Sequence, residues 1–356
     1  MWEERAIRAR QDITALATEE LGVSDLHAAA IRVIDARVSS DFTCWASIDP
    51  ETLVISTTTS GETQIPHEYE PRLAESEYGT KDEPHRFATL AQRKEPLARR
   101  SDLPHRDRTR STRFNNVWRP LGLDQELRVM FLADGVCWGA AGLVRAGRDF
   151  TDREMGFLVA VAPSLASATR LAVRLEARDL RPAGHPAIVV VGPRGELRAS
   201  TSAAQEWQER LDEIAPGRFT TMMHVVACGA RTSTSGGFRA RLRDAGGHWA
   251  VLEASLLIGG DEDQVAVTIE PVNGDHLLGL LLTAYGLTVR ERDICREVIA
   301  GHSTADIATC LFISANTVQD HLKSVFGKVG VRSRGELVAR LRPNGSMSQE
   351  VTQPVM

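Results

Sequence analysis

Three hydroxyl–x–x–acid motifs lie close together near the carboxyl end of the chain: Thr288-Val289-Arg290-Glu291, Ser303-Thr304-Ala305-Asp306 and Ser333-Arg334-Gly335-Glu336. In such a capping box the hydroxyl accepts an early helix N–H, and the acid lies at the positive end of the helix. Ser314 alone marks a fourth helix start, and Gly301 is suited to end the first helix. The pattern predicts four short helices, near residues 289–300, 304–311, 315–328 and 334–341.

The second and third of these helices are separated only by Phe312-Ile313-Ser314. A tight turn between two short helices is typical of a helix-turn-helix. In the third helix Val318, Leu322 and Val325 recur at helical spacing and are expected in the core. The opposite side carries polar or small residues: Asn316, Gln319, Asp320, Lys323 and Gly327. Because amides pair with adenine, and lysine with guanine or phosphate, this side suits the DNA major groove.

The charge balance of this region differs from that of the whole chain. The 356 residues carry a net charge of −5. Within residues 315–342, two acidic residues, Asp320 and Glu336, are outnumbered by six basic ones: Lys323, Lys328, Arg332, Arg334, Arg340 and Arg342. Phosphate neutralisation is a short-range, salt-screened effect, so the local excess matters more than the total. A helical bundle with a solvated basic face is the alternative interpretation of the charge alone.

Four stretches of the same region closely resemble the LuxR-type DNA-binding domain: residues 287–292, 301–308, 313–323 and 328–337. The resemblance implies four helices, with the third in the major groove, usually in a dimer that binds two half-sites. By position, Gln319, Asp320 and Lys323 would face bases or nearby phosphates. Residues implied to hold the DNA backbone are Ser303, Thr304, Thr317, Lys328 and Arg334, and we add the adjacent Asn316 and Arg332 as DNA-binding candidates.

Two positions of the third helix depart from the family pattern. Many members have lysine where this chain has Gln319, and Asp320 adds an acid beside it. A carboxylate does not favour phosphate; it accepts a hydrogen bond from cytosine or repels a wrong site. The preferred DNA sequence therefore does not carry over from other members.

Residues 1–178 alternate helix-like and strand-like stretches and resemble a GAF domain. The resemblance rests on two opening helices, the strand Phe42–Ile48, and the run Trp138–Arg145 followed by Phe150–Glu154. A capping box at Thr151 opens a long helix that reaches about Arg178. This resemblance implies a sensor of a small molecule or of a partner. A dimer scaffold that has lost its ligand fits the same pattern.

A breaker-rich linker at 179–185 precedes a second α+β stretch, residues 186–275, which resembles a PAS domain more loosely. The likeness rests on the strand 188–191, the Gly195 turn, Ser202-Ala203-Ala204 and three closing strands. The helix-turn-helix domain is expected at 276–342, and the tail 343–356 is expected to be disordered. The predicted fold class is thus multidomain α+β, with an all-α DNA-binding domain at its end.

Aromatic residues of the first domain are candidates for a ligand pocket. Trp45 and Trp138 each follow a cysteine in a predicted strand. Because neighbouring residues of a strand face opposite sides of the sheet, either the cysteine or the tryptophan of each pair could line a pocket. Together with Trp118 and Phe131 they could wall a cavity for an apolar ligand. Ordinary core packing is the alternative. A redox role for Cys44 or Cys137 is disfavoured, because no adjacent basic residue would lower the thiol pKa.

Several classes of protein are disfavoured by missing patterns. The longest uncharged stretch, Met155–Thr169, is too short to span a membrane, and the acidic start lacks an export signal. The five cysteines form no Cys-x-x-Cys pair, which indicates cytoplasmic thiols rather than disulfides or a metal site. Neither a phosphate-binding loop nor a nucleophile–base constellation is evident. We therefore expect neither an enzyme nor a resident cofactor or metal.

These observations predict a cytoplasmic, homodimeric transcription regulator. An effector or partner would bias the first two domains between two arrangements, and helices near 152–178 and 276–285 would transmit the change to the two DNA readers. RNA polymerase is a candidate partner. The alternatives are a sigma-factor-like promoter-recognition subunit, a ligand-independent dimeric DNA-binding protein, and a signalling enzyme with a docking tail.

Overall fold

The structure, a computed structural model, describes residues 2–79, 81–93, 95, 97–178, 184–214, 216–244, 247–259, 263–272 and 274–341. It divides into two compact units: unit 1 comprises Met1–Leu175 and Ala183–Pro271, and unit 2 comprises Glu176–Pro182 and Val272–Met356. Unit 1 therefore holds all but a few end residues of the two stretches, 1–178 and 186–275, that the sequence assigned to separate domains. Most of the expected linker, residues 179–183, and the expected disordered tail, 343–356, lie outside the described residues.

The first half of unit 1 surrounds a five-stranded sheet with helices. Its elements are α1 (Trp2–Ala17), α2 (Val23–Asp35), β1 (Phe42–Ile48), β2 (Ile55–Ser60), α3 (Glu70–Tyr78), α4 (Phe87–Leu90), β3 (Leu97–Arg99), α5 (His105–Arg110), a π-helical turn (Phe114–Trp118), β4 (Gln125–Ala133), β5 (Val136–Arg145) and α6 (Asp152–Arg178). The strands are antiparallel, in the order β2-β1-β5-β4-β3. The sequence predicted the two opening helices, β1, the β4–β5 hairpin and α6, but described residues 60–113 only as less regular.

Strand β5 pairs closely with β1 because glycine and alanine occupy the contact. Ala46 and Trp45 lie opposite Ala140 and Ala141 in the register of the two strands. At Gly139 an added Cβ would lie 2.7 Å from the Ala46 carbonyl oxygen and 2.8 Å from the Phe131 ring. A larger residue there would separate the strands, so this close approach requires glycine.

Helix α6 qualifies as a membrane span by length and composition over Asp152–Ala177, although 56% of its most apolar window is buried inside the protein. This corrects the sequence-based expectation that no stretch was long enough. That expectation counted only uninterrupted uncharged residues, whereas the helix tolerates a few charges within an apolar window. Half-buried apolar helices are also common at the core of water-soluble domains, so the feature is weak evidence for a membrane.

The second half of unit 1 contains another antiparallel sheet with two helices on it. Its elements are β6 (Ala187–Val191), β7 (Leu197–Ser200), α7 (Ala203–Asp212), α8 (Arg218–Thr232), β8 (Gly237–Arg243), β9 (Trp249–Leu256) and β10 (Val265–Pro271). The strand order is β7-β6-β10-β9-β8, which repeats the second-first-fifth-fourth-third order of the first sheet. The sequence predicted every element except α8. With 11 of its 15 residues buried, this helix leaves only a narrow exposed side to mark the helical period.

The two halves of unit 1 share core and charge contacts. Val54, Ala74 and Tyr78 of the first half pack into the hydrophobic core of the second sheet. Arg241 on β8 donates to Asp49 Oδ2 at 2.8 Å and also pairs with Glu51. Asp49 and Arg241 are both buried, so the ion pair is shielded from water. The halves consequently form one compact body and not two loosely tethered domains.

Unit 2 is helical in its described part. Its helices are α9 (Gly274–Ala284), α10 (Val289–Ile299), α11 (Thr304–Cys310), α12 (Ala315–Val329) and α13 (Arg334–Leu341). Ile294, Ile307, Val318, Leu322 and Leu337 are buried together in its core. The four predicted helices are confirmed to within one residue at each end, because their boundaries are set by local caps.

Candidate functional site

The turn between α11 and α12 is held by a cap and by an unusual backbone conformation. The Ser314 hydroxyl accepts the Thr317 N–H at 3.1 Å, which caps α12. Phe312 adopts φ 55°, the left-handed region that disfavours a side chain, and its ring is 94% exposed. Arg290 of α10 donates to the Leu311 carbonyl and so ties the turn to the bundle. The helix-turn-helix geometry predicted from the three-residue connection is present.

Substitution of Phe312 by glycine should stabilise unit 2 by about 0.5–1 kcal/mol, because it removes left-handed strain at the cost of some unfolded-state entropy. Hardly any packing is lost, since the ring is exposed. Hydrogen exchange of α11 and α12 amides in the full chain measures the change. The matched opposite is Gly301→Ala, at φ +93° with open space around the Cβ position, which should destabilise the same helices. Slower exchange in Gly301→Ala would contradict the strain argument.

Helix α12 has one buried and one exposed side. Val318, Leu322 and Val325 are buried in the core of unit 2, as the sequence predicted. The exposed side carries Asn316, Gln319, Asp320 and Lys323. Lys323 Nζ lies 3.6 Å from Asp320 Oδ1, and both side chains are more than three-quarters exposed. Amide, carboxylate and ammonium groups are therefore presented together along one solvent-facing side of the helix.

The residues expected to hold the DNA backbone are engaged within the protein to different extents. Ser303 caps α11: its hydroxyl accepts the Asp306 N–H and donates to Asp306 Oδ2 at 2.6 Å. Thr317 Oγ1 lies 2.8 Å from Ser314 Oγ, and Arg334 donates to the His302 carbonyl. Thr304 is half-buried and Arg332 is exposed. These residues lie at the starts of α11, α12 and α13 and in the turn between α12 and α13.

Lys328 forms a contact that the sequence analysis did not anticipate. Its Nζ donates to Glu291 Oε2 at 2.7 Å, and Ser324 donates to Oε1 of the same carboxylate at 2.7 Å. Glu291 also accepts the Thr288 N–H and completes the predicted capping box. These bonds hold the pKa of Glu291 at about 2 despite its burial, which acts in the opposite direction. A phosphate would have to compete with Glu291 for this lysine.

The third predicted capping box forms only in part. Ser333 accepts the Glu336 N–H at 3.1 Å, but the Glu336 carboxylate accepts the N–H of Arg332 instead of that of Ser333. The acid reaches one residue further back than the motif implies. Helix α13 nevertheless begins at Arg334, as expected.

Of the four aromatic residues proposed for a ligand pocket in unit 1, only Trp118 lines the cavity that forms there. The ring centroids of Trp45 and Phe131 lie 5.1 Å apart, and both rings pack against His27. Trp138 is equally buried. Strand alternation places Cys44, not Trp45, on the cavity side of β1. Burial raises the pKa of the Cys44 thiol to about 11 and that of Cys137 to about 12, so both stay protonated near neutral pH.

One cluster in unit 1 combines residue types found in metal sites. The ligand atoms of Glu75 on α3 and of His224 and Cys228 on α8 lie within 4.8 Å of one another. His224 Nε2 is 2.6 Å from Glu75 Oε2 and 3.5 Å from Cys228 Sγ. Its contacts with Cys228 and with Glu75 raise the pKa of His224 to about 9. A His⁺–Glu⁻ hydrogen bond between α3 and α8 accounts for this arrangement.

The carboxyl-terminal part of the chain matches a known family. The family model described as bacterial regulatory proteins, luxR family, matches residues 286–341. The spore germination protein GerE of Bacillus subtilis is 36% identical over 61 residues, which is 17% of this chain and 82% of GerE. An HTH-type transcriptional regulator of Mycobacterium bovis is 48% identical over 62 residues, 17% of this chain but only 7% of the longer mycobacterial protein.

Among solved structures, the VqmA dimer of Vibrio cholerae, described as a LuxR-type receptor, is similar at 13% identity. The similarity covers 46% of this chain and 82% of that chain, with a TM-score of 0.21. A TM-score this low establishes no common overall fold. The match to the family thus rests on the helices from α10 to α13.

Proposed function

Because this chain belongs to the LuxR family of bacterial regulatory proteins, we propose that it is a cytoplasmic, sequence-specific DNA-binding regulator of transcription. Unit 2 reads the DNA, and unit 1 controls the reading in response to a ligand or partner. A homodimer binds two half-sites, as the two-fold symmetry of most such operators requires.

The observation that carries the proposal is the two-sided character of α12 within the matched residues. Its apolar side is buried, whereas Asn316, Gln319, Asp320 and Lys323 face solvent with hydrogen-bonding groups that are complementary to base edges. In the proposed complex these four residues lie in the major groove. Residues that hold the adjacent sugar-phosphate backbone are Ser303, Thr304, Thr317, Lys328, Arg332 and Arg334.

The proposed sensor function of unit 1 draws support from its sheets. Both have the same strand order, as two related sensor folds would, and we assign residues 1–178 as GAF-like and 186–275 as PAS-like. The DNA-binding domain then spans 276–342. A ligand that binds one arrangement of unit 1 more tightly than another would shift the equilibrium between them by that difference in binding free energy, and the DNA-binding domain would follow.

Lys323→Ala should weaken binding to the preferred duplex by about 1–3 kcal/mol and reduce discrimination against a scrambled duplex, since a base contact carries sequence information. The preferred duplex is first selected by the full chain from a random pool. Fluorescence anisotropy with the selected and scrambled duplexes then measures both affinities as a function of salt concentration.

Arg332→Ala is the matched comparison for this prediction. If Arg332 contacts phosphate, its loss should weaken binding to both duplexes alike and lower the salt dependence of binding by about one counterion. If the random pool yields no enriched sequence at low salt, the proposal that the chain reads DNA fails. If binding is selective but neither substitution changes it, only the assignment of contact residues fails.

A further inference from the structure

Unit 1 contains a cavity of about 170 Å³ between the first sheet, α3 and the start of α8. Its wall is mainly apolar, with contributions from Phe42, Ile55, Tyr78, Phe87, Trp118 and Met222. A cavity of about 150 Å³ lined by such side chains is large enough for benzene. The space therefore fits a small organic molecule with an aromatic or short aliphatic body.

One buried cation in this wall lacks a counter-ion. Arg218 on α8 is only 8% exposed, and no carboxylate of the described residues lies within salt-bridge distance of its guanidinium. Its Nη1 reaches Thr58 Oγ1 at 3.4 Å, while its Nε has no hydrogen-bond partner. Burial lowers the pKa of Arg218, as expected for a charge without compensation. A buried arginine in this condition is costly unless something pairs with it.

Four other charged residues of the wall are already paired with each other. Arg128 donates to Glu77 at 2.8 Å, and Arg113 donates to Glu126 at 2.9 Å. Glu70 also lines the cavity and is the carboxylate that acts electrostatically on Arg218, but it lies beyond salt-bridge distance of the guanidinium, and its Oε1 is 3.4 Å from His67 Nδ1. Among the arginines that line this wall in the described part of the chain, Arg218 is thus the one whose charge is not balanced by direct contact with a carboxylate. Thr221, next to it on α8, adds a buried hydroxyl without a partner.

We propose that this cavity binds a small organic anion, with its carboxylate on Arg218 and its apolar body against Trp118 and Phe42. The proposal rests on the sensor function proposed above and specifies the class of effector. A cation would be repelled by the unpaired charge of Arg218, and a neutral apolar molecule would leave that charge without a partner. An inorganic anion would leave the apolar wall unfilled. Since Arg218 belongs to the second half of unit 1 and Phe42 to the first, the bound molecule contacts both halves.

The test compares carboxylates with their neutral amides: benzoate with benzamide, phenylacetate with phenylacetamide, and hexanoate with hexanamide. Isothermal titration calorimetry of the full chain at constant ionic strength measures each Kd. Tryptophan emission follows binding to unit 1 in parallel. A charge-assisted pair with a buried arginine should make at least one carboxylate bind about tenfold or more tightly than its amide. Equal affinity for acid and amide in all three pairs overturns the proposal.

Arg218→Gln should abolish the preference for the carboxylate, whereas Arg239→Gln, an exposed arginine of β8, should retain it. If Arg218→Gln does not fold, the acid–amide comparison on the unmodified chain still decides the question. A preserved preference in folded Arg218→Gln overturns the assignment of that residue.

DNA affinity for the selected duplex is measured in the same samples. DNA binding without carboxylate binding refutes the effector class and leaves the regulator function standing. Carboxylate binding without DNA binding supports the effector class and refutes the regulator function.

Discussion

Arg241→Met should lower the free energy of unfolding of unit 1 by about 3–5 kcal/mol, because it leaves the buried carboxylate of Asp49 without its cation. The contact joins β8 of one half to the loop after β1 in the other, so the halves also lose a link between them. All six tryptophans lie in unit 1. Urea unfolding followed by tryptophan fluorescence therefore reports on this unit alone.

Arg239→Met is the matched control, since it removes the same side chain from the same strand. Arg239 pairs with Glu253 on the surface, where both side chains are about half exposed. An exposed pair contributes roughly 0–1 kcal/mol. Similar losses in the two variants would mean that the buried pair contributes no more than a surface one.

The double substitution Arg241→Met with Asp49→Asn should recover a large part of the lost stability. The asparagine keeps the acceptor oxygen that binds the N–H groups of Glu51 and Thr52, but it carries no charge that would be left buried without a partner. Absence of any recovery would show that lost packing, and not an isolated charge, destabilises the single variant.

Glu291→Ala should raise the exchange of α10 and α12 amides by an amount equivalent to about 2–4 kcal/mol. The substitution removes a buried carboxylate that caps α10 and accepts bonds from Ser324 and Lys328 of α12. Hydrogen exchange of the full chain measures this opening in unit 2. Loss of the contact between α10 and α12 should also weaken DNA binding, because the contact holds α12, the helix proposed to read the bases.

Acid provides an independent measure of the same carboxylate. The folded pKa of Glu291 is about 2, below its usual 4.5, so its stabilising effect is complete above pH 4.5 and is lost as pH falls toward 2. Between pH 5 and pH 3 the unmodified chain should lose about 2 kcal/mol of protection against hydrogen exchange in unit 2. Glu291→Ala should not show this loss, because it lacks the carboxylate at every pH. Asp306→Ala, which removes an exposed capping-box acid from α11, should have a much smaller effect. Equal effects of the two alanine variants would refute the role assigned to burial.

The carboxyl-terminal helices could be predicted closely because the information that sets their ends is local. Thr288, Ser303 and Ser314 each accept a backbone N–H three residues later in the chain, and such caps can be recognised from spacing alone. The division of α12 into buried and exposed sides follows from the helical repeat in the same way. By contrast, α8 has only a narrow exposed side to reveal its period, and the sequence did not predict it.

What the sequence alone determined was therefore the set of capped helices in unit 2, the two runs of strands, and the polar side of α12. Only the tertiary structure decided that Lys328 pairs with Glu291, that Cys44 rather than Trp45 faces the cavity, and that Arg218 is buried without a carboxylate. These contacts join residues far apart along the chain. Neither spacing nor composition encodes them, because pairing and burial depend on which distant surfaces the folded chain brings within a few ångströms.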